Sequence, residues 1–342
     1  DEPTAVLTES EADQLLATMK QLAAKGIAIL FISHRLDEVM ELANKITVLR
    51  DGEVVQTLDR SEVTVELMAE LMIGRTLGEE GKAGRTRELE TESVLSIKDL
   101  HVDMPGESTH GVDLEVHRGE IFGIGGLAGQ GKLGISNGIM GLYPSRGEVL
   151  FQGKKIPLGD PAQVLATGLA FVSEDRRGVG LLLDQSIEDN IAFSACQIQG
   201  KFLKGSGPLA QFDRKTARTY AEADIKGFDI RCRGPQQPVR RLSGGNQQKV
   251  CLARAFALEP KMLFVSEPTR GVDVGAKDRV LKLLVELNRD KGITIVVTSS
   301  ELGELRRICD RIAIIDRGQV AGILAPNAPD VEFGLLMGGE RR

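Results

Sequence analysis

Apolar positions along the chain fall into short unbroken runs separated by longer amphipathic stretches. Met262–Val265, Ile293–Val297 and Ile312–Ile315 have the length and pattern of parallel strands covered on both faces. Val94–Leu100 and Gly111–Val116 instead alternate apolar with polar residues, which predicts half-exposed antiparallel strands. Glu120-Ile121-Phe122-Gly123-Ile124 predicts a further strand, followed by a glycine-rich turn and a helix from Lys132. From about residue 187 to 241 the chain is more polar and helix-prone, predicting a separate helical subdomain. Amphipathic helices between the short strands complete an α/β architecture with a largely parallel core sheet.

Part of this pattern occurs twice. Asp1-Glu2-Pro3-Thr4 nearly recurs as Ser266-Glu267-Pro268-Thr269. The segment from Gly26 to His34 aligns with Gly292 to Ser300, and Asn44 to Gly52 with Asp310 to Gly318. Ala69 to Gly74 resembles Gly334 to Gly339. The offset is 265 positions at first and 266 from Gly26 onward, so one residue is gained in a loop. A period this long predicts two homologous domains, because solenoid repeats are far shorter. Residues 94–265 have no counterpart ahead of Asp1, so the expectation is a first domain cut short on its N-terminal side. Residues 1–77 are then its C-terminal remnant, with a strand at Ile27–Ile32. Residues 78–93, rich in Gly, Glu, Arg and Thr, form a linker. A complete second domain occupies 94–342, with its helical subdomain at about 187–241.

Composition narrows the class. A hydrophobic content of 42% suffices for a sizeable core, and no run approaches the roughly 20 apolar residues of a membrane span. The net charge of −6 argues against a nucleic-acid partner, which calls for a basic face. Cys196, Cys232, Cys251 and Cys309 are widely spaced with no C-x-x-C pair, which predicts reduced, inert thiols in a cytosolic compartment.

The candidate chemistry centres on Leu242-Ser243-Gly244-Gly245-Asn246-Gln247-Gln248-Lys249 and on Met262–Thr269. Ser-Gly-Gly ahead of a helix leaves backbone N–H groups free where the helix dipole favours an anion. The second stretch is a buried strand delivering Glu267 at its tip, followed by Gly271-Val272-Asp273. In this order the segments resemble the signature motif, Walker B strand and D-loop of ABC-type ATPases. The resemblance implies a P-loop NTPase fold of the ABC nucleotide-binding type, with an antiparallel β subdomain and a helical subdomain. It also implies ATP and Mg²⁺ as cofactors.

Gly126-Leu127-Ala128-Gly129-Gln130-Gly131-Lys132-Leu133 fits the P-loop spacing except at its last residue. Gly126, Gly129 and Gly131 would wrap the phosphates and Lys132 would meet the terminal ones, but Leu133 lacks the hydroxyl that ligates Mg²⁺. Ser266 stands where the Walker B aspartate belongs, Glu174 at the glutamine-loop position and Ser300 at the switch-histidine position. No aromatic residue lies between Val94 and Glu120 to stack on adenine, leaving His101 as a weak substitute. These departures predict a second site that binds nucleotide poorly or does not turn it over. The first-domain remnant keeps Asp1 for Mg²⁺ through water, Glu2 to polarise the attacking water and His34 as the switch histidine. In the head-to-tail pairing of the family, Ser243, Gly244, Gly245, Gln247 and Asp273 would cap that catalytic site, while Glu267 serves the degenerate one.

Ser243–Lys249 and Glu267-Pro268-Thr269-Arg270-Gly271-Val272-Asp273-Val274-Gly275-Ala276-Lys277 further resemble the duplicated ATP-binding subunits of bacterial monosaccharide importers. Ser173-Glu174-Asp175-Arg176-Arg177 is similar to their second domains. This likeness implies docking on two transmembrane permease subunits at the cytoplasmic face of the inner membrane, fed by a periplasmic or lipid-anchored sugar-binding protein. Nucleoside importers share the domain plan. Duplicated soluble translation factors are disfavoured by the short linker and the degenerate second site.

Overall fold

A computed structural model describes residues 3, 9–33, 36–50, 53–64, 67–68, 71, 92–205, 207, 210–272 and 274–339. The chain divides into two compact units, Asp1–Ala83 with Asp273–Asp278, and Gly84–Val272 with Arg279–Arg342.

The first unit holds α1 (Glu9–Ala24), α2 (Leu36–Leu42) and the antiparallel hairpin of β1 (Lys45–Arg50) and β2 (Glu53–Asp59). Ile46, Val48, Val63 and Met68 form a small core under Val39, Met40 and Leu58. The hairpin register slips between Val48 and Leu49. Buried Glu38 accepts a hydrogen bond from Ser33 Oγ at 3.4 Å. The strand expected at Ile27–Ile32 does not form, and Leu30 stands 96% exposed. A strand needs a neighbour to take its backbone hydrogen bonds. No described residues pair with this segment, so its apolar pattern alone does not make it a strand.

The second unit is built on β3 (Ser93–Val102), β4 (Thr109–His117), β5 (Ile121–Gly125), α3 (Lys132–Ile139), β6 (Ser145–Phe151), β7 (Lys154–Lys155), α4 (Pro161–Ala166) and β8 (Leu169–Val172). The helical subdomain follows, with α5 (Ile187–Gln199), a small hairpin of β9 (Leu203–Lys204) and β10 (Gln211–Phe212), and α6 (Arg214–Gly227). Then come α7 (Gly244–Phe256), β11 (Met262–Ser266), α8 (Val274–Lys291, which belongs to this unit from Arg279 onward), β12 (Thr294–Thr298), α9 (Leu302–Ile308), β13 (Arg311–Asp316), β14 (Gln319–Leu324) and α10 (Asp330–Met337). Six strands form the core sheet in the order β14-β13-β5-β12-β11-β8, all parallel except the edge pair β13–β14. The second sheet, β4-β3-β6-β7, is antiparallel.

Alternation along the core strands builds two hydrophobic layers. Phe122, Ile124, Phe264, Val296 and Ala313 pack with the antiparallel sheet and α3. Ile121, Leu263, Val265, Ile295 and Ile312 pack with the helices on the other face. Ser186 and Asp213 cap α5 and α6, accepting from backbone N–H groups of their first turns. All four cysteines are free, and burial pushes the Cys251 thiol up to about 12, in line with an inert role.

Glu120, fully buried, takes both Nε (2.6 Å) and Nη2 (2.9 Å) of Arg311. It also accepts the His117 backbone N–H at 2.8 Å, tying the end of the antiparallel subdomain to the core sheet. Replacing Glu120 with Ala strips Arg311 of this partner and is expected to lower the unfolding free energy by roughly 3 kcal/mol in chemical denaturation.

Asp224 on α6 is a half-buried acid whose buried Oδ2 lacks a hydrogen-bond partner among the described residues. Burial raises its pKa from 3.8 to about 7. The folded state therefore holds this proton more tightly than the unfolded state, and stability falls as pH rises from about 4 to about 7. Asp224→Asn is expected to raise thermal stability at pH 8 and to change little at pH 4. The gain should be roughly 1–2 kcal/mol, because partial solvent access screens the charge.

Candidate nucleotide-binding site

The parallel strands end at one rim of the core sheet, where the chain turns into helices and loops; such rims are where open α/β sheets place ligands. At the tip of β5, Gly126 has φ 143°, and a Cβ there would come within 2.4 Å of the Ile315 carbonyl oxygen. Gly131, at φ 95°, caps α3, and its Cβ would meet the Ser108 carbonyl oxygen at 2.5 Å. These positions admit only glycine, and they let the loop turn its N–H groups inward.

Those N–H groups meet a carboxylate of the same chain. Glu107, in the turn between β3 and β4, accepts from Gly129 at Oε1 (2.8 Å) and from Gly131 (2.9 Å) and Leu133 (3.2 Å) at Oε2. Lys132 is buried and donates Nζ to the Leu127 carbonyl at 3.1 Å. Gln130 closes the other side of the loop, its side-chain and backbone oxygens accepting from Arg317 and Gly318, each at 2.8 Å. Nothing local in the sequence marked Glu107: it is one acid in a turn, brought to the loop by the tertiary fold.

The residues around the loop do not suit Mg²⁺. Leu133 is apolar and buried, and Ser266 at the end of β11 is buried with no hydrogen-bond partner for Oγ among the described residues. Glu174 lies beside α3, where Asn137 Nδ2 reaches its two oxygens at 3.1 and 3.3 Å. Glu267 has φ +46°, and its Oε1 accepts from Ser300 N (3.0 Å) and Ser300 Oγ (2.6 Å). The sequence-predicted Walker B acid and switch position therefore meet, through a serine hydroxyl. His101 lines a cleft of about 390 Å³ with Asp103, His110 and Arg146, and its Nε2 lies 2.9 Å from Asp99 Oδ1.

The predicted signature sits where α7 begins. Ser243 is the N-cap and is exposed, its Oγ accepting from Asn246 Nδ2 at 2.9 Å, whereas Gly245 is buried. Gln247 is also buried, and its amide donates to the Leu242 carbonyl at 3.2 Å, holding the approach to the helix. Asp1, Glu2, His34 and Asp273 lie outside the described residues.

No sequence motif assigns a role to Arg176. It donates Nη1 to the Gly244 carbonyl (2.8 Å) and Nη2 to the Arg270 carbonyl (2.9 Å). One guanidinium thus joins the Glu174 loop, the start of α7 and the turn after β11. Its burial pushes its pKa down, against the charge it keeps. Only the Ser-Glu-Asp-Arg-Arg pattern hinted at it.

This sheet order, glycine loop and helical insertion define a P-loop nucleotide-binding domain. The profile of the ABC transporter family matches residues 109–270. The chain is 41% identical over 330 residues to the ribose import ATP-binding protein RbsA 2 of Rhizobium meliloti (strain 1021), covering 96% of this chain and 62% of that protein. It is 36% identical over 345 residues to the ribose import ATP-binding protein RbsA of Lactococcus lactis subsp. lactis (strain IL1403), covering 99% and 67%. The chain thus spans about three fifths to two thirds of the length of these relatives. Among solved structures, a dimeric ATP-binding cassette in a post-hydrolysis state, bound to ADP and Pi, superposes with TM-score 0.57 at 23% identity, covering 69% of this chain and 100% of that one. A nucleotide-free cassette from an ABC transporter superposes with TM-score 0.56 at 23% identity, covering 72% and 95%. These two establish the fold. The chain belongs to the ATP-binding proteins of ABC transporters.

Arg176→Ala should release the start of α7, lowering stability by roughly 1.5–3 kcal/mol, the range for hydrogen bonds made by a charged group. Hydrogen exchange at the first amides of α7 should accelerate in the same variant. Arg176→Lys should recover part of the stability, since one ammonium cannot span both carbonyls in the guanidinium's fork geometry.

Proposed function

We propose that this chain is part of an ATP-hydrolysing subunit that powers import of a simple monosaccharide, with one catalytic and one degenerate nucleotide site. The likeness to ribose import ATP-binding proteins along nearly the whole chain carries this reading. Its partners in the reading are two permease subunits, with a sugar-binding protein delivering the solute to them. Attachment at the cytoplasmic face of the inner membrane is, in this proposal, through the permeases; no helix among the described residues is long and apolar enough to cross a membrane.

The reading includes a duplicated domain whose leading copy is partial, and the internal correspondences support it. At the 266-residue offset, α2 matches α9 and β1 matches β13 end to end. The register slip at Val48/Leu49 matches the one at Ile314/Ile315. Ser33 donates to Glu38 as Ser299 donates to Glu304.

Catalysis is assigned to the leading copy. ATP, with Mg²⁺, supplies the phosphoryl group that is cleaved. Asp1 would hold the metal through water, Glu2 would polarise the attacking water, and His34 would bridge to the departing phosphate as the switch histidine; such sites work by positioning and charge stabilisation. The exposed Ser243 and the N–H groups at the start of α7 offer an anion cap for nucleotide carried on another lobe. Glu267 occupies the base position of the other site but hydrogen-bonds Ser300, and the neighbouring Ser266 cannot supply the metal's carboxylate.

In the assembled importer, Glu2→Gln is expected to lower ATP turnover at least 100-fold, and Glu267→Gln less than threefold, in a phosphate-release assay. Equal losses in the two variants would refute the asymmetry.

A further inference from the structure

We infer that Glu107 is a built-in anion that occupies the phosphate position of the glycine loop after β5 and keeps nucleotide out of it. The inference rests on reading residues 126–133 as a phosphate loop. Its two carboxylate oxygens take three backbone N–H groups, at 2.8, 2.9 and 3.2 Å, which a bound phosphate would otherwise take. These N–H groups lie at and just before the first turn of α3, where the helix dipole favours negative charge. Glu107 is only 8% exposed, and its bonds to Gly131 and Leu133 are buried, while the one to Gly129 lies at the edge of the loop.

The chain is shaped to bring this acid there. Met104 and Ser108 close a tight turn, with Glu107 N and Ser108 Oγ each donating to the Met104 carbonyl at 2.9 Å. The turn lies directly on α3: a Cβ at Gly134 would sit 2.2 Å from the Glu107 carbonyl oxygen, and one at Gly131 2.5 Å from that of Ser108. A glycine inside a helix costs about 1 kcal/mol relative to alanine, and Gly134 stands where the turn crosses. A carboxylate on the same chain also competes as an intramolecular ligand, at an effective concentration of millimolar order or higher. Losing the carboxylate would leave three N–H groups in need of an acceptor, which an incoming diphosphate supplies.

The test measures binding of a fluorescent ADP analogue and of inorganic pyrophosphate to this chain. The proteins compared are the unaltered chain, Glu107→Gln and Glu107→Ala, each with and without Lys132→Ala. Thermal melts confirm that every variant is folded. Glu107→Ala should bind at least tenfold more tightly than the unaltered chain, with Glu107→Gln in between, and Lys132→Ala should abolish the gain. Hydrogen exchange at Gly129, Gly131 and Leu133 should be faster in Glu107→Ala without ligand and slow again when pyrophosphate is added. Should the unaltered chain already bind as tightly as Glu107→Ala, with Lys132→Ala removing binding in both, residues 126–133 are a phosphate loop and the plug is wrong. Should no variant bind either probe, both the plug and the phosphate-loop reading fail.

Discussion

Backbone N–H groups gathered at a helix start need an acceptor, and at buried Gly131 and Leu133 water is not at hand to provide one. Much of the second unit is arranged around that requirement. The loop after β5 can be tight only because glycine occupies Gly126 and Gly131, and once tight it turns its donors toward the β3–β4 turn. The antiparallel sheet supplies the acceptor through the β3–β4 turn. The turn after β13 supplies two further donors that fix Gln130. Phosphate-loop geometry has thus been kept while its charge partner comes from within the fold.

The same economy of partners runs along the rim of the core sheet. Glu267, Glu174 and buried Glu304 each meet a neutral hydrogen-bond donor of the chain: a serine, an asparagine, and the paired hydroxyls of Thr269 and Ser299. Arg176 then binds the rim to α7 through carbonyls rather than carboxylates. The result is a rim held together by internal hydrogen bonds, suited to holding shape and to presenting Ser243 outward.

Much of this was legible in the sequence. The runs at Met262, Ile293 and Ile312 are strands, the two alternating segments pair antiparallel, and residues 187–241 carry α5 and α6. The internal repeat marked Glu267 and Ser300 as the counterparts of Glu2 and His34, but that the two meet is shown only by the fold. Periodicity failed at Ile27–Ile32, because an apolar run records what a segment would bury and not whether a neighbour is there to bury it. Glu107 and Arg176 were illegible for a related reason. Each acts on groups at least 22 positions away in sequence, and single charged residues in turns carry no pattern that separates a solvated side chain from an anchored one.

The bare apolar segment in the first unit has a practical corollary. Ile27, Leu30 and Ile32 expose more than a third of their area within a run of six apolar residues, five of them bulky. Such a run of high β-propensity and no charge is the kind that templates strand addition between molecules. In a chain that presents the stretch this way, strand addition between molecules would begin here, at side chains far from the glycine loop in sequence.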